Sequence, residues 1–487
     1  MKMAERIFSA EDQDVFARLS GDRNPMHMDA LAARRTQAGA PVVHGMHLLL
    51  WSLNALLNEH PDLRNVSRIR AQFQKFVLVG EQAAVELVSI KANTARWTVS
   101  VDGGVRCKFS VSFADVEASE SCPDEQAEGR PESVSAANLT APVIPLELSL
   151  TGLMGRTDVI PIPAADEIAA LYPAAARGMG AIRMASLATT STLVGMVCPG
   201  LHSIYGELSV EAAPLAVSRG VLGVLRSSVV ETDERFRTVS MEIEGGGWTG
   251  RVEAFLRTPP VMQPSMEALR GRFPADVFAG VRALIVGGSR GLGELTAKLL
   301  ATGGAEIWIT YRNGRDDAEQ VAKEIGDGRG RCSVLHWDAT SEPGLLLEQM
   351  AEAPTHLYYF ATPSIFRPQA RVYQPERLQQ FLTVYVDGFW TLVQATRQRN
   401  PAVSVYYPSS VFVSDRPQGM TEYSMAKAAG EVLCADINAQ LAPTRVVMTR
   451  LPRLATDQTA SVTAVETESA VEAMAQVIWE MHGEAGH

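Results

Sequence analysis

The chain has 487 residues, 46% of them hydrophobic and 20% charged, with a formal net charge of −11. That length exceeds what one hydrophobic core supports, so roughly two to four domains are expected, and the composition excludes global disorder. The acidic balance argues against a generic nucleic-acid or anionic-membrane surface, and no stretch reaches the roughly 18–20 apolar residues of a membrane span.

The N-terminal "MKMAERIFSAEDQ" lacks the apolar run of a secretory leader. Five cysteines (Cys107, Cys122, Cys198, Cys332, Cys434) are scattered without a CxxC pair, so neither a zinc site nor a disulfide framework is signalled. A cytoplasmic protein with reduced thiols is the expectation.

In chain order, Ser9 is placed to cap a short helix through "AEDQDVFARLS", with Asp12 supporting the cap. The polar turn "SGDRNPMHMD" follows, and then a strongly apolar helix, "VVHGMHLLLWSLNALLNEH", ended by Pro61. Four β-rich runs, "IRAQFQKFVLV", "QAAVELVSIKA", "ARWTVSVDG" and "GVRCKFSVSFADV", are divided by turn residues. A helix followed by such a meander predicts an antiparallel sheet wrapped around a buried helix, over residues 1–114. Residues 115–142 are acidic and rich in Ser, Ala, Glu and Pro, with no apolar period, and read as a flexible linker.

Residues 143–265 repeat the helix-then-strands order without repeating the sequence. The C-terminal texture, 275–487, is different: "VRALIVGGSRGLGELTAKLLATGGAEIWITYRNG" is strand, glycine turn, helix and strand. Further strand candidates alternate with helical stretches, which predicts a doubly wound parallel α/β sheet of the Rossmann type. The fold class expected is therefore multidomain: α+β in the N-terminal half, α/β after it.

Two segments carry chemistry. In "GGSRGLG", Gly287, Gly291 and Gly293 let the backbone turn and approach a pyrophosphate, with Ser289, Arg290 and Leu292 between them. An ordinary tight turn is the plain alternative. The second strand ends in "TYRNGR" and not in an acidic residue, so Arg290 and Arg312 can clamp a 2′-phosphate, favouring NADP(H). Asp338, after a later strand, is placed to meet the adenine or simply to close a turn. Downstream, Tyr423 and Lys427 lie on one helical face, where the cation is expected to lower the phenol pKa, and Ser410 can hold a carbonyl.

On these motifs the C-terminal region resembles the short-chain dehydrogenase/reductase family. The resemblance implies Tyr423 as general acid/base, Lys427 as its tuner and ribose ligand, and Ser410 as the carbonyl-orienting group. Two departures stand out. "YFAT", Tyr359 to Thr362, replaces the family's Asn-Asn-Ala-Gly, and Tyr385 occupies the place of an asparagine that holds a proton-relay water. These leave open a nucleotide-binding module without reductase activity.

In "SGDRNPMHMD", Pro25 fixes a turn that can bring Asp22 and His27 together around one water, the arrangement for hydrating a double bond. An Asx-turn is the alternative, as is a metal site from His27, His44 and His47 that lacks a carboxylate or cysteine cluster to support it. With "VVHGM" the segment resembles the MaoC-like (R)-specific enoyl-thioester hydratases of hot-dog fold. That resemblance implies Asp22 and His27 as the catalytic pair, Asn24 as support, and the Gly45 N–H as an oxyanion donor. The middle region, lacking the motif, resembles a degenerate second hot dog, with His202 and Ser203 more in keeping with a satisfied core than a site.

Together the resemblances imply a bifunctional 3-oxoacyl-thioester reductase and 3-hydroxyacyl-thioester dehydratase, with modules like those of the multifunctional enzyme type 2 family in reverse order. The substrate would be an acyl-CoA or an acyl chain on an acyl carrier protein, the cofactor NADP(H), and the assembly a homodimer, with no metal, nucleic acid or membrane span. A hydratase with a silent nucleotide-binding module and a non-catalytic acyl-carrier docking scaffold remain as alternatives.

Overall fold

The computed structural model describes residues 2–114, 140–163, 165–213, 223–328, 330–363, 365, 372–454 and 468–482. The expected linker at 115–142 therefore lies almost wholly outside the described residues. The chain divides into two compact units, Met1–Pro259 and, from Pro260 on, the remainder of the described chain.

The first unit begins with β1 (Lys2–Ile7) and α1 (Ala10–Ser20), whose start is closed by the reciprocal Ser9/Asp12 capping box. Short helices α2 (Pro25–Met28) and α3 (Ala30–Arg34) lead to α4 (Gly45–Glu59), which is buried along most of its length. Strands β2 (Val66–Phe73), β3 (Gln82–Lys91), β4 (Thr94–Val101) and β5 (Gly104–Phe113) complete the first half.

The second half has the same order. It runs β6 (Thr157–Pro161), α5 (Ala165–Leu171), α6 (Pro173–Met179) and α7 (Ala181–Thr192), which continues as a π-helical turn, Leu193–Val197. Then come β7 (Ser203–Ala212), β8 (Val224–Asp233), β9 (Thr238–Gly245) and β10 (Trp248–Leu256). All ten strands form one antiparallel sheet in the order β1-β3-β4-β5-β2-β7-β10-β9-β8-β6. The halves meet where β2 pairs with β7, Ile69 opposite Val210 and Ala71 opposite Leu208. One apolar core, including Leu49, Leu53 and Trp97 from the first half and Leu187, Val210 and Trp248 from the second, spans both. The described parts of 1–114 and 143–259 thus share one sheet and one core, as two halves of a single unit.

Residues 260–265, grouped above with the middle region, fall in the second unit. Buried Lys298 donates to the Pro264 carbonyl, and the Met266 N–H donates to Glu324, which holds α8 (Met266–Leu269) there. Strands β11 (Arg282–Val286), β12 (Glu306–Tyr311), β13 (Arg331–His336), β14 (His356–Tyr359), β15 (Ser404–Ser410) and β16 (Arg445–Leu451) form a parallel sheet ordered β13-β12-β11-β14-β15-β16. Its helices are α9 (Gly291–Thr302), α10 (Arg315–Asp327), α11 (Gly344–Glu348), α12 (Pro375–Leu382), α13 (Phe389–Arg399), α14 (Phe412–Asp415), α15 (Thr421–Gln440) and α16 (Ala470–His482). A second π-helical turn, Thr383–Gly388, joins α12 to α13. This is the doubly wound arrangement, with ligands expected at the carboxyl ends of the central strands.

Candidate active sites

In the first unit, Gly21 ends α1 in the left-handed region (φ 87°), which turns the chain and delivers Asp22 into the interior. Asn24 caps α2: its Oδ1 accepts from the Met26 N–H, while Nδ2 donates to the Gly195 carbonyl at 2.7 Å. Pro25 then occupies the first helical position, where its missing N–H costs nothing. The polar turn is thereby tied to the π-helical turn of the second half.

Asp22 is 1% exposed. Its Oδ2 accepts from Ser191 Oγ at 2.6 Å and its Oδ1 from the Asn24 N–H at 3.1 Å. Burial pushes the Asp22 carboxyl up, opposed by the charge of His27 and by these hydrogen bonds. His27 Nε2 lies 4.0 Å from Asp22 Oδ2. Its Nδ1 is 2.7 Å from the Val42 carbonyl, an acceptor only, so Nδ1 carries a hydrogen and Nε2 is the ring nitrogen turned to the carboxylate. A gap of 4.0 Å is too long for a direct hydrogen bond and suits one water about 2.8 Å from each group.

His44 stacks on His27 with ring centroids 3.9 Å apart, and its Nε2 is 3.1 Å from the Asp22 main-chain oxygen. Complete burial holds its pKa well below the ordinary histidine value. His44 precedes α4 without a side-chain cap, so the first turn, starting at Gly45, is free of a competing side-chain acceptor there. A Cβ at Gly45 would stand 3.0 Å from the Phe73 ring.

Among the described residues, Asp22, His27 and His44 bring ligating atoms within 4.8 Å of one another, whereas His47 is not part of that group. His47 packs flat on Phe16 and edge-on to Phe8, with burial depressing its pKa to about 3. A tetrahedral zinc at roughly 2.0–2.1 Å wants ligand atoms closer together than the 4.0 Å seen here, whereas one bridging water fits the Asp22–His27 gap.

Ser191 and Gly195 carry no motif and escape sequence reasoning. The one signal is "ATTST", a run of hydroxyl side chains on a helix that proves buried at Thr189, Thr190, Ser191 and Thr192. A Cβ at Gly195 would land on the Asp22 carboxylate, so the π-helical turn approaches only because that residue is glycine. In the second half α6 also starts with a proline, Pro173. At the positions matching Asp22 and His27 relative to it stand Ala170 and Ala175. His202 pairs its Nε2 with Glu147 at 2.9 Å at the start of β7. Counted from that proline, the second half offers neither a carboxylate nor an imidazole at these two positions.

In the second unit, Gly287 (φ 77°) leaves β11, and Arg290 immediately precedes α9, which opens at Gly291 (φ 60°), Leu292 and Gly293. A Cβ at Gly287 would stand 3.1 Å from the Phe360 backbone, and one at Gly293 would strike the Gly287 carbonyl. Ser289 is buried within this loop. The bare cradle at a helix N-terminus fits a pyrophosphate. Arg312, just past β12, lies 3.7 Å from Asp338, whose Oδ1 also accepts from Thr340. These groups share one edge of the cradle's sheet, as a 2′-phosphate and adenine subsite needs.

Ser410 ends β15, and Tyr423 and Lys427 project from the first turns of α15, with Ser410 hydrogen-bonded to the Tyr423 hydroxyl. The expected lowering of the phenol is not what the structure has. Burial raises the Tyr423 pKa, while Lys427, also buried, is pushed down to about 7. The reason is placement: Lys427 Nζ donates to the Pro408 carbonyl at 2.6 Å and sits 6.0 Å from the Tyr423 ring centre. Tyr385 is buried, its hydroxyl 2.5 Å from Thr362 Oγ1. Tyr359 donates to the Val384 carbonyl at 2.8 Å.

Residues 2–108 match the family model described as a MaoC like domain, and residues 282–468 match the short chain dehydrogenase model. The chain joins a MaoC-like domain to a short-chain dehydrogenase domain. The chain is 29% identical over 114 residues to the peroxisomal multifunctional enzyme type 2 of Drosophila melanogaster, covering 23% of this chain and 19% of that one. An NADPH-dependent aldehyde reductase-like protein, chloroplastic, of Arabidopsis thaliana is 37% identical over 98 residues, 17% of this chain and 36% of its own length. The chain thus spans well under two thirds of these relatives. A short chain dehydrogenase from Burkholderia cenocepacia, solved in complex with NADP, aligns at 22% identity over 42% of this chain and 91% of its own, with a TM-score of 0.39. No helix among the described residues is long and apolar enough to cross a membrane.

Proposed function

We propose that the protein is a bifunctional NADPH-dependent 3-oxoacyl-thioester reductase and (R)-3-hydroxyacyl-thioester dehydratase/enoyl hydratase. The observation that carries the hydratase half is the 4.0 Å separation of Asp22 Oδ2 and His27 Nε2, with the His27 tautomer set by the Val42 carbonyl. In the hydration direction both groups accept hydrogen bonds from one water. Its oxygen adds to C3 of the enoyl thioester, and the proton it loses passes through the pair to C2. The N–H groups at the start of α4, led by Gly45, stabilise the enolate oxygen that forms between those events. Asn24 keeps the loop in place. Dehydration is the same path reversed.

In the short-chain dehydrogenase domain, Gly287, Ser289, Gly291, Leu292 and Gly293 would hold the dinucleotide, Arg290 and Arg312 its 2′-phosphate, and Asp338 its adenine. When bound there, NADPH would supply the hydride for the substrate carbonyl carbon. Tyr423 gives the carbonyl oxygen its proton, Ser410 orients that oxygen, and Lys427 tunes Tyr423 and would hold the cofactor ribose. One intermediate, the 3-hydroxyacyl thioester, is common to both reactions, and a CoA or an acyl carrier protein would bear it. A homodimer in the cytoplasm is the setting we propose; the free Cys107, Cys198, Cys332 and Cys434 are in keeping with a reducing compartment.

The departures at Tyr359–Thr362 and Tyr385, which the structure joins through the Thr362–Tyr385 hydrogen bond, favour one second reading, a hydratase whose dehydrogenase domain binds nucleotide without turnover. Purified protein given crotonyl-CoA should form 3-hydroxybutyryl-CoA, and given acetoacetyl-CoA should oxidise NADPH. Hydration without NADPH oxidation selects the second reading, and activity with no thioester sinks both.

A further inference from the structure

Lys427 is a buried cation with an unusual surrounding. The residue is 5% exposed, and the Pro408 carbonyl is the hydrogen-bond acceptor its Nζ reaches. Among the described residues, no carboxylate stands within ion-pair distance of its Nζ. Glu431, one turn further along α15, is committed to Arg450 at 2.6 Å and to Ser409 at 2.5 Å. Aromatic faces take the place of a counter-ion. Nζ lies 4.0 Å from the Tyr385 ring centre and 4.9 Å from that of Tyr407. An ammonium over a desolvated ring is attracted by the ring's quadrupole, most strongly at the shortest distance.

The Tyr385 ring is held from every side. It stacks on Phe381 at 5.7 Å and 10°, meets Tyr423 edge-on at 5.8 Å and 80°, and is pinned at its hydroxyl by Thr362. The π-helical turn that presents it is anchored by Tyr359 through the Val384 carbonyl. The two departures noted in the sequence, "YFAT" and Tyr385, are therefore one device: Tyr359 fixes the turn and Thr362 fixes the ring.

We propose that Tyr385 is a positioning residue of the reductase site, holding the Lys427 ammonium by cation–π contact in the geometry that faces Tyr423. Its consequence for turnover rests on the reductase reading above; the placement of Lys427 does not. The other titratable or charged groups around Nζ are Tyr407 from β15, and Tyr423, Glu431 and Cys434 from α15 itself. Changing Tyr385 replaces none of these groups, and of them Tyr423 loses its edge contact with that ring.

The test is NMR of the full chain labelled at lysine Cε, with the Lys427 resonance assigned by its loss in K427R. In the wild type the Lys427 methylene signal should be displaced upfield by ring currents, with a titration midpoint below that of ordinary lysines. Y385L should remove much of the displacement and lower the midpoint further, by about 0.4–1.5 pH units, the range set by typical cation–π strengths. Y385F keeps the ring and should keep both signatures. The pH limb of acetoacetyl-CoA reduction should follow the midpoint in each variant. An unshifted wild-type Lys427 signal overturns the proposal without any variant, and an unchanged midpoint in Y385L does so as well. If the signatures are present but NADPH is never oxidised, the reductase reading fails and the placement of Lys427 stands.

Discussion

Replacing Ser191 by alanine removes the 2.6 Å hydrogen bond to Asp22 Oδ2 while leaving the Asn24 N–H on Oδ1. A hydrogen bond to a charged group contributes about 1.5–3 kcal/mol, and one pKa unit corresponds to about 1.4 kcal/mol, so the ionised form of Asp22 loses roughly 1–2 pKa units of support. The direction is upward, adding to the upward push of burial. Hydration needs the carboxylate, so the acidic limb of kcat/KM for crotonyl-CoA should move to higher pH by about 1–2 units. Well above the limb the rate should be little changed, because His27 and its Val42 contact are untouched. The assay is the disappearance of enoyl-thioester absorbance across a pH series, and Ser191→Thr, which keeps the hydroxyl, serves as the control. An S191A limb that coincides with the wild type would refute the reasoning, as would a uniform loss at every pH.

Three further outcomes follow from the same geometry. Asp22→Asn should lower hydration by about 10²–10⁴-fold, yet stabilise the fold at neutral pH. A carboxyl whose folded pKa is raised favours folding below its unfolded pKa, and that contribution is lost as pH rises through the folded value, so removing the charge helps. Thermal unfolding at neutral and acid pH checks this, the two proteins converging in acid. Gly195→Ala places a methyl on the Asp22 carboxylate and should cost about 1–3 kcal/mol of stability together with hydratase activity, read by denaturant titration. Arg312→Ala should weaken NADPH binding about 10–100-fold with little change for NADH, measured by fluorescence titration of each nucleotide.

The fold was largely legible because its signals are local. Ser9 and Asp12 announce α1, the run from Met46 to Leu57 announces α4, and alternation in "ARWTVSVDG" announces β4. Edge strands were harder. β1 and β6 sit at the two ends of the ten-stranded sheet, pair on one side only, and so carry little apolar alternation. "IRAQFQKFVLV" read as one strand, but β2 stops at Phe73, where Gln74 and Lys75 turn both N–H groups to the Arg106 carbonyl. Within the site, Asp22, Asn24 and His27 fall in one short segment and could be found together. Ser191 and Gly195 come from far along the chain, and only folding brings them to the carboxylate. The Tyr423–Lys427 spacing was legible too, but its electrostatics were not. Spacing tells that two side chains share a helical face, not that one of them points into a box of tyrosines.

The most direct measurement is a mass-spectrometric product profile from acetoacetyl-CoA and NADPH. 3-Hydroxybutyryl-CoA followed by crotonyl-CoA is the expected result, with Tyr423→Phe abolishing both and Asp22→Asn halting at the 3-hydroxy product. Crotonyl-CoA formed undiminished by D22N, or a wild-type protein that converts neither thioester, would contradict it.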